Sequence, residues 1–199
     1  MADNKSGRDK QADDEERRQR ERAIETELER GDEPEPPVDE ADLDDVESDL
    51  EAVSFPATGA AVVAAIGDRE VDATDESYAV AELVPDSDAE TFEASTDVRV
   101  RVQRPTVATA MKRVVEATDR LSGADLGESQ RDAYEKTFRE LAAIDADDDD
   151  EGIRVIGDWI VEQIREKEKL PGSRAVRREA ADFCRSNGYE VRNDEWLGV

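Results

Sequence analysis

Residues 153–188 read IRVIGDWIVEQIREKEKLPGSRAVRREAADFCRSNG, and this stretch decides the class of fold. Ile153, Ile156, Ile160 and Ile164, with Trp159 beside them, recur every three or four residues, which places them on one side of an α-helix. Leu170-Pro171-Gly172-Ser173 is a tight connection, because proline cannot continue the helix and Ser173 can cap the next one. That last helix is expected from Arg174 to Asn187, stopped by Gly188. Its apolar side holds Val176, Ala180, Phe183 and Cys184, while Arg174, Arg177, Arg178 and Arg185 fall opposite. Two helices joined by a short Pro-Gly turn, the second bearing arginines, have the outline of a helix-turn-helix hairpin.

Upstream, Tyr134, Phe138, Leu141 and Ile144 mark a helix over 129–144, separated from the hairpin by the acidic loop 145–152. Asp147, Asp149, Glu151 and Gly152 match positions one, three, five and six of a calcium loop, but Arg154 and Asp158 then break its register. The loop is read as a solvated acidic segment.

Leu43, Val46, Leu50 and Val53 form the stripe of an amphipathic helix over 39–53. Thr58 can cap a short helix containing Val62, Val63 and Ile66, with Gly67 placed to end it. Val98, Val100 and Val102 alternate with Arg99, Arg101 and Gln103, which predicts a strand over 98–103. Thr106 is then expected to cap a helix reaching Leu121 that buries Val107, Met111, Val114 and Val115. The run Phe55-Pro56-Ala57-Thr58-Gly59, followed by Val62-Val63-Ala64-Ala65-Ile66-Gly67-Asp68-Arg69-Glu70-Val71, resembles a small module of uncharacterised haloarchaeal proteins, a domain of unknown function. The likeness spans residues 54–95 and implies a compact, salt-adapted helical module. It carries over no activity and no functional residues.

Composition bounds the rest. The chain has 199 residues, 54 acidic and 27 basic, for a formal charge of −27, and lysine is scarce, at 6 against 21 arginines. Such a surplus of like charge opposes compaction in dilute buffer. At about 1 M salt the screening length falls to roughly 3 Å and the repulsion largely vanishes, so the composition is that of a protein adapted to multimolar salt. Residues 1–37 hold only Ile24 and Leu28 of the large aliphatic and Phe side chains; they read as a charged arm ending in the Glu33-Pro34-Glu35-Pro36-Pro37 linker. The chain is thus expected to be mainly α, as small helical modules at 38–122 and 123–199 with at most a minor β element near 98–103.

The absence of histidine excludes Ser-His-Asp and Cys-His catalysis and histidine metal sites, and a single cysteine, Cys184, excludes internal disulfides. No apolar run reaches transmembrane length and the amino terminus has no secretory pattern, which predicts a cytoplasmic protein without a membrane role. No cofactor, metal or small-molecule substrate is indicated. Against the acidic background, residues 165–185 carry a net +3. The sequence therefore points to a non-enzymatic accessory or regulatory protein that binds a protein partner, or a second copy of itself, through Arg174, Arg177, Arg178 and Arg185. The alternatives are a DNA-binding regulator using the same helix and an enzyme of unrecognised class. Trp196, with Tyr189 and Val191, is read as a tail folding back on the helical pair.

Overall fold

The structure, a computed structural model, describes residues 37–74, 76–121, 126–144 and 150–189. The expected arm 1–37, the acidic loop at 145–149 and Trp196 therefore lie outside the described residues, apart from Pro37. Among the described residues, eight α-helices follow one another: α1 (Glu40–Asp49), α2 (Gly59–Ile66), α3 (Val80–Leu83), α4 (Ser95–Val102), α5 (Pro105–Asp119), α6 (Glu128–Ala142), α7 (Glu151–Lys167) and α8 (Ser173–Asn187). Between them lie four very short strands, β1 (Ala57–Thr58), β2 (Glu70–Asp72), β3 (Ser77–Ala79) and β4 (Thr91–Phe92). Among the described residues they pair antiparallel as β1–β4 and β2–β3, with an isolated bridge between Val38 and Ala73. The protein is mainly helical, and none of the described helices is long and apolar enough to cross a membrane.

The apolar stripes fold as their spacing dictates. Leu43 and Val46 of α1 are buried, as is Leu50 in the 3₁₀ turn that follows. The outer face of α1 offers carboxylates to neighbouring segments: Asp45 and Asp49 hold Arg69, and Asp44 and Glu47 hold Arg99. Thr58 caps α2 through its side-chain oxygen, which accepts the Ala61 N–H at 3.3 Å. The next residue has to be glycine. A Cβ on Gly59 would stand 2.2 Å from the Pro85 carbonyl oxygen, because the start of α2 lies directly on the 85–90 loop. Gly59 N–H donates to Glu90 O, and Ala60 N–H to Ser87 O.

Residues 98–103 correct the expected strand, since α4 runs through them. Val98 and Val102 are one helical turn apart and buried together, so the alternation that suggests a strand is equally a helical i, i+4 pair. Val100, between them, is 47 % exposed. Asp97 fixes the helix start by accepting the backbone N–H groups of Glu93 and Ala94 at 2.9 and 3.0 Å. Arg101, expected on the polar side of a strand, is buried. Two expected caps are also displaced, Thr106 by two residues and Ser173 by one. Pro105 takes the first position of α5 with Arg104 before it, and Gly172 rather than Ser173 precedes α8.

Two apolar clusters result. One gathers α1, α2, Val71, Leu83, Phe92 and α4; the other gathers α5, α6, α7 and α8. The changeover falls inside α5, where Ala108 belongs to the first cluster while Val107, Met111 and Val114 belong to the second. The polar edge of α5 grips the 84–87 loop: Lys112 Nζ donates to Val84 O at 3.2 Å, Ser87 Oγ donates to Asp119 at 2.9 Å, and Asp86 N–H donates to Glu116 at 3.3 Å. The boundary expected at 122–123 falls in the segment 122–125, outside the described residues.

A buried ionic group ties the loop to two helices. Glu90 is 2 % exposed; its Oε1 accepts from Arg101 Nη2 of α4 at 2.6 Å and lies 3.5 Å from Arg131 Nε of α6. Arg131 also donates to the carbonyls of Ala89 and Leu126, and Glu135 lies 3.8 Å from Arg101. Burying such charges costs desolvation, so the group adds little net stability, yet removing one member strands the others in a low dielectric. Glu90→Ala, which takes the shared carboxylate from buried Arg101 and partly buried Arg131 and leaves only Glu135 near Arg101, is expected to cost about 3–5 kcal/mol in denaturant unfolding. A loss below about 1 kcal/mol, the size of an exposed ion pair, would contradict this.

Candidate macromolecular interface on the last helix

Helix α8 is held by its own capping and by α6. Its carboxyl end closes with Gly188 at φ 75°, Tyr189 N–H donating to Cys184 O at 2.9 Å, and the Tyr189 ring 5.9 Å from that of Phe183. This is a Schellman stop with its hydrophobic contact, and only glycine adopts that φ without strain. Val176, Ala180, Ala181 and Cys184 are buried against α6 and α7, while Phe183 is only half-buried. Cys184 is fully covered and serves as a small apolar side chain.

The amino end is set by a clamp that the sequence pattern does not announce. Tyr134, expected only as a member of an apolar stripe, is buried with its hydroxyl donating to the Pro171 carbonyl. Gln130 Nε2 donates both to that carbonyl and to the Tyr134 oxygen, each at 2.8 Å. Two side chains one turn apart on α6 thereby fix the connection between α7 and α8. Burial pushes the Tyr134 hydroxyl up to about 12, with the Gln130 hydrogen bond acting weakly the other way. Ionising a phenol there would put an uncompensated anion in an apolar site and remove the donor to Pro171.

Of the four arginines expected to share the outer face, all lie on α8, but their surroundings differ. Arg174 and Arg178 are exposed and make no ion pair among the described residues. Arg185 is exposed and paired with Asp182 three residues earlier. Arg177 is half-buried, and its Nε donates to Ser173 O at 3.5 Å. Exposed Arg165, Lys167 and Lys169 extend the positive charge around the turn. Elsewhere, Arg69, Arg99, Arg101, Arg113 and Arg131 each have a carboxylate within ion-pair distance. Carboxylates interrupt the positive surface at Glu166, Glu168, Glu179 and Asp182.

Trp159 is half-buried against the second cluster. Asp147 and Asp149 of the calcium-like loop lie outside the described residues; Asp158, its twelfth position, is on α7 and holds Arg113. No group of three potential ligands able to hold a metal occurs among the described residues.

Residues 37–114 match a protein family described as a family of unknown function (DUF5789). The match extends the 54–95 resemblance on both sides and ends within α5. It covers less than half of the chain, and α6, α7 and α8 lie beyond it. No curated protein and no solved structure matches.

The Tyr134 clamp has a pH signature. With its folded value raised above the ordinary 10.0, Tyr134 contributes stability that is complete below about pH 10 and lost as pH rises toward 12. Urea unfolding across this window is expected to show a fall in stability that is smaller in Tyr134→Phe, which at neutral pH should itself be destabilised by about 1 kcal/mol. Equal alkaline losses in the two proteins would exclude the clamp as described.

Proposed function

We propose that this protein is a non-enzymatic binding protein whose α7–α8 hairpin docks on a protein partner through Arg174 and Arg178. The observation that carries the reading is that these two guanidinium groups stand exposed and without an ion pair among the described residues, in a chain with a formal charge of −27. Guanidinium is weakly hydrated for a cation and matches carboxylate bidentately, so it suits contact at a desolvated interface in strong salt.

A protein partner fits better than DNA for two reasons. The positive surface is interleaved with Glu166, Glu168, Glu179 and Asp182, which would oppose phosphates but can pair with the basic groups of a protein of mixed charge. High salt also removes most of the counterion-release affinity on which DNA binding by a few arginines relies. The non-enzymatic part of the reading is supported by the lack of histidine and by the burial of Cys184.

The test uses the tagged full chain as bait in high-salt lysate, with quantitative recovery compared between wild type and the Arg174→Ala/Arg178→Ala variant. A reproducible partner should be recovered at least about tenfold less by the variant, the loss typical of removing central arginine contacts. Identical recovery would refute the assignment. Binding of a labelled DNA duplex, with a salt slope lowered by about one for each removed phosphate contact, would replace the protein reading with the DNA one.

A further inference from the structure

Residues 38–68 contain no lysine or arginine, and helix α1 lies within them. Residues 39–51 alone carry eight carboxylates. Among the described residues, the other helices of eight residues or more each hold a basic side chain of their own, except α2, which is uncharged. The carboxylates of α1 fall beside one another. Glu40 and Asp44, Asp45 and Asp49, and Glu47 and Glu51 are four apart, and three further acidic pairs are three apart. Each such like-charged pair disfavours a helix by roughly 1.5- to 2-fold, so the six together amount to about tenfold or more. Glu47 and Asp49 also stand near the carboxyl end of α1, where the helix dipole disfavours an anion, and its last turn holds no basic residue.

Two guanidinium groups from other segments oppose this repulsion. Arg69 lies 2.8 Å from Asp45 and 3.2 Å from Asp49; Arg99 pairs with Asp44 and lies 3.4 Å from Glu47. Salt acts unequally on the two kinds of contact. Like-charged neighbours on a helix stand about 5–6 Å apart. That is well beyond the screening length of roughly 3 Å at about 1 M salt, whereas the ion pairs are made at close range. Strong salt therefore removes more repulsion than attraction. At about 0.1 M the screening length is roughly 10 Å, and all six repulsive pairs are felt.

The flanks of α1 are fixed independently of it. Val38 is buried and bridged to Ala73, and β1 is paired with β4. Between these anchors α1 rests on α4 and β2, with Leu43, Val46 and Leu50 buried in the first cluster. We propose that residues 39–53 form a salt-gated strap, closed in strong salt and lifted as a loop at lower salt while α5 to α8 stay folded. Lifting uncovers part of the first cluster, to which Val71 of β2 and Val98 and Val102 of α4 belong. The strap is independent of the reading of α8, since Arg174 and Arg178 take no part in it.

Native-state hydrogen exchange of the full chain at about 0.3, 1 and 3 M KCl tests it. The opening constant of α1, relative to that of the slowest α5 and α7 amides, should rise at least about tenfold from the highest salt to the lowest. Ser48 is exposed on α1, within a helical turn of Asp44, Asp45 and Glu51. Ser48→Lys should reduce that rise by about threefold or more, Ser48→Glu should enlarge it, and Ser48→Gln should leave it as in wild type. The α5 and α7 amides show in each variant that the rest of the fold persists. Exchange of α1 in step with α5 and α7 at every salt concentration, a joint collapse of all protection included, would overturn the proposal. So would a rise indifferent to the charge placed at position 48.

Discussion

Val107 and Ala108 are neighbours in sequence that sit in different apolar clusters, and the rest of the structure depends on that divergence. Because α5 packs on α3 and α4 as well as on α6 and α7, the module of short elements and the long-helix bundle share a common rod. Its apolar face is broad, so Ala110, Val115 and Ala117 are buried along with Val107, Met111 and Val114. Its polar edge binds the 84–87 loop, and that loop in turn receives the start of α2 at Gly59. The Glu90 group adds a connection from the same loop to α4 and α6.

Electrostatics divides the molecule by depth. The pairs of Arg69 and Arg99 with the carboxylates of α1 are partly exposed, so strong salt weakens them, whereas Glu90 and Arg101 are withdrawn from solvent and largely escape screening. What salt chiefly does for such a chain is to remove the long-range repulsion of its carboxylates. The exposed guanidinium groups of α8 stand out against that background. Their helix is held by Tyr134 and Gln130 from α6 through the Pro171 carbonyl, so the orientation of the arginines is inherited from the bundle core.

Much of this is legible in the sequence wherever one element carries the signal. The stripes Leu43/Val46/Leu50 and Ile153/Ile156/Ile160/Ile164, the Thr58 cap and the Gly188 stop are local, and each holds in the fold. Val98-Arg99-Val100-Arg101-Val102 misleads because two valines four apart satisfy both a period of two and a helical turn. The signals that separate the readings are Asp97, placed to accept the Ala94 N–H, and Glu90, which gives Arg101 a buried partner. Pro105 was likewise a better mark of a helix start than Thr106. The clamp on Pro171 and the Glu90–Arg101–Arg131 group join residues far apart in the chain, and no local pattern announces them. Of the arginine face, the sequence shows the common side of the helix; which members stand bare depends on neighbours, as the pairing of Arg185 and the burial of Arg177 show.

If α5 serves both clusters, the described fold unfolds as one unit. Native-state hydrogen exchange in concentrated KCl, followed against denaturant, reads this directly. The slowest amides of α2, α5 and α7 should share one opening free energy and one denaturant slope. Opening of α2 and α4 at a distinctly lower free energy, while α5 to α8 stay protected, would mean that the clusters are independent and that the shared helix couples nothing.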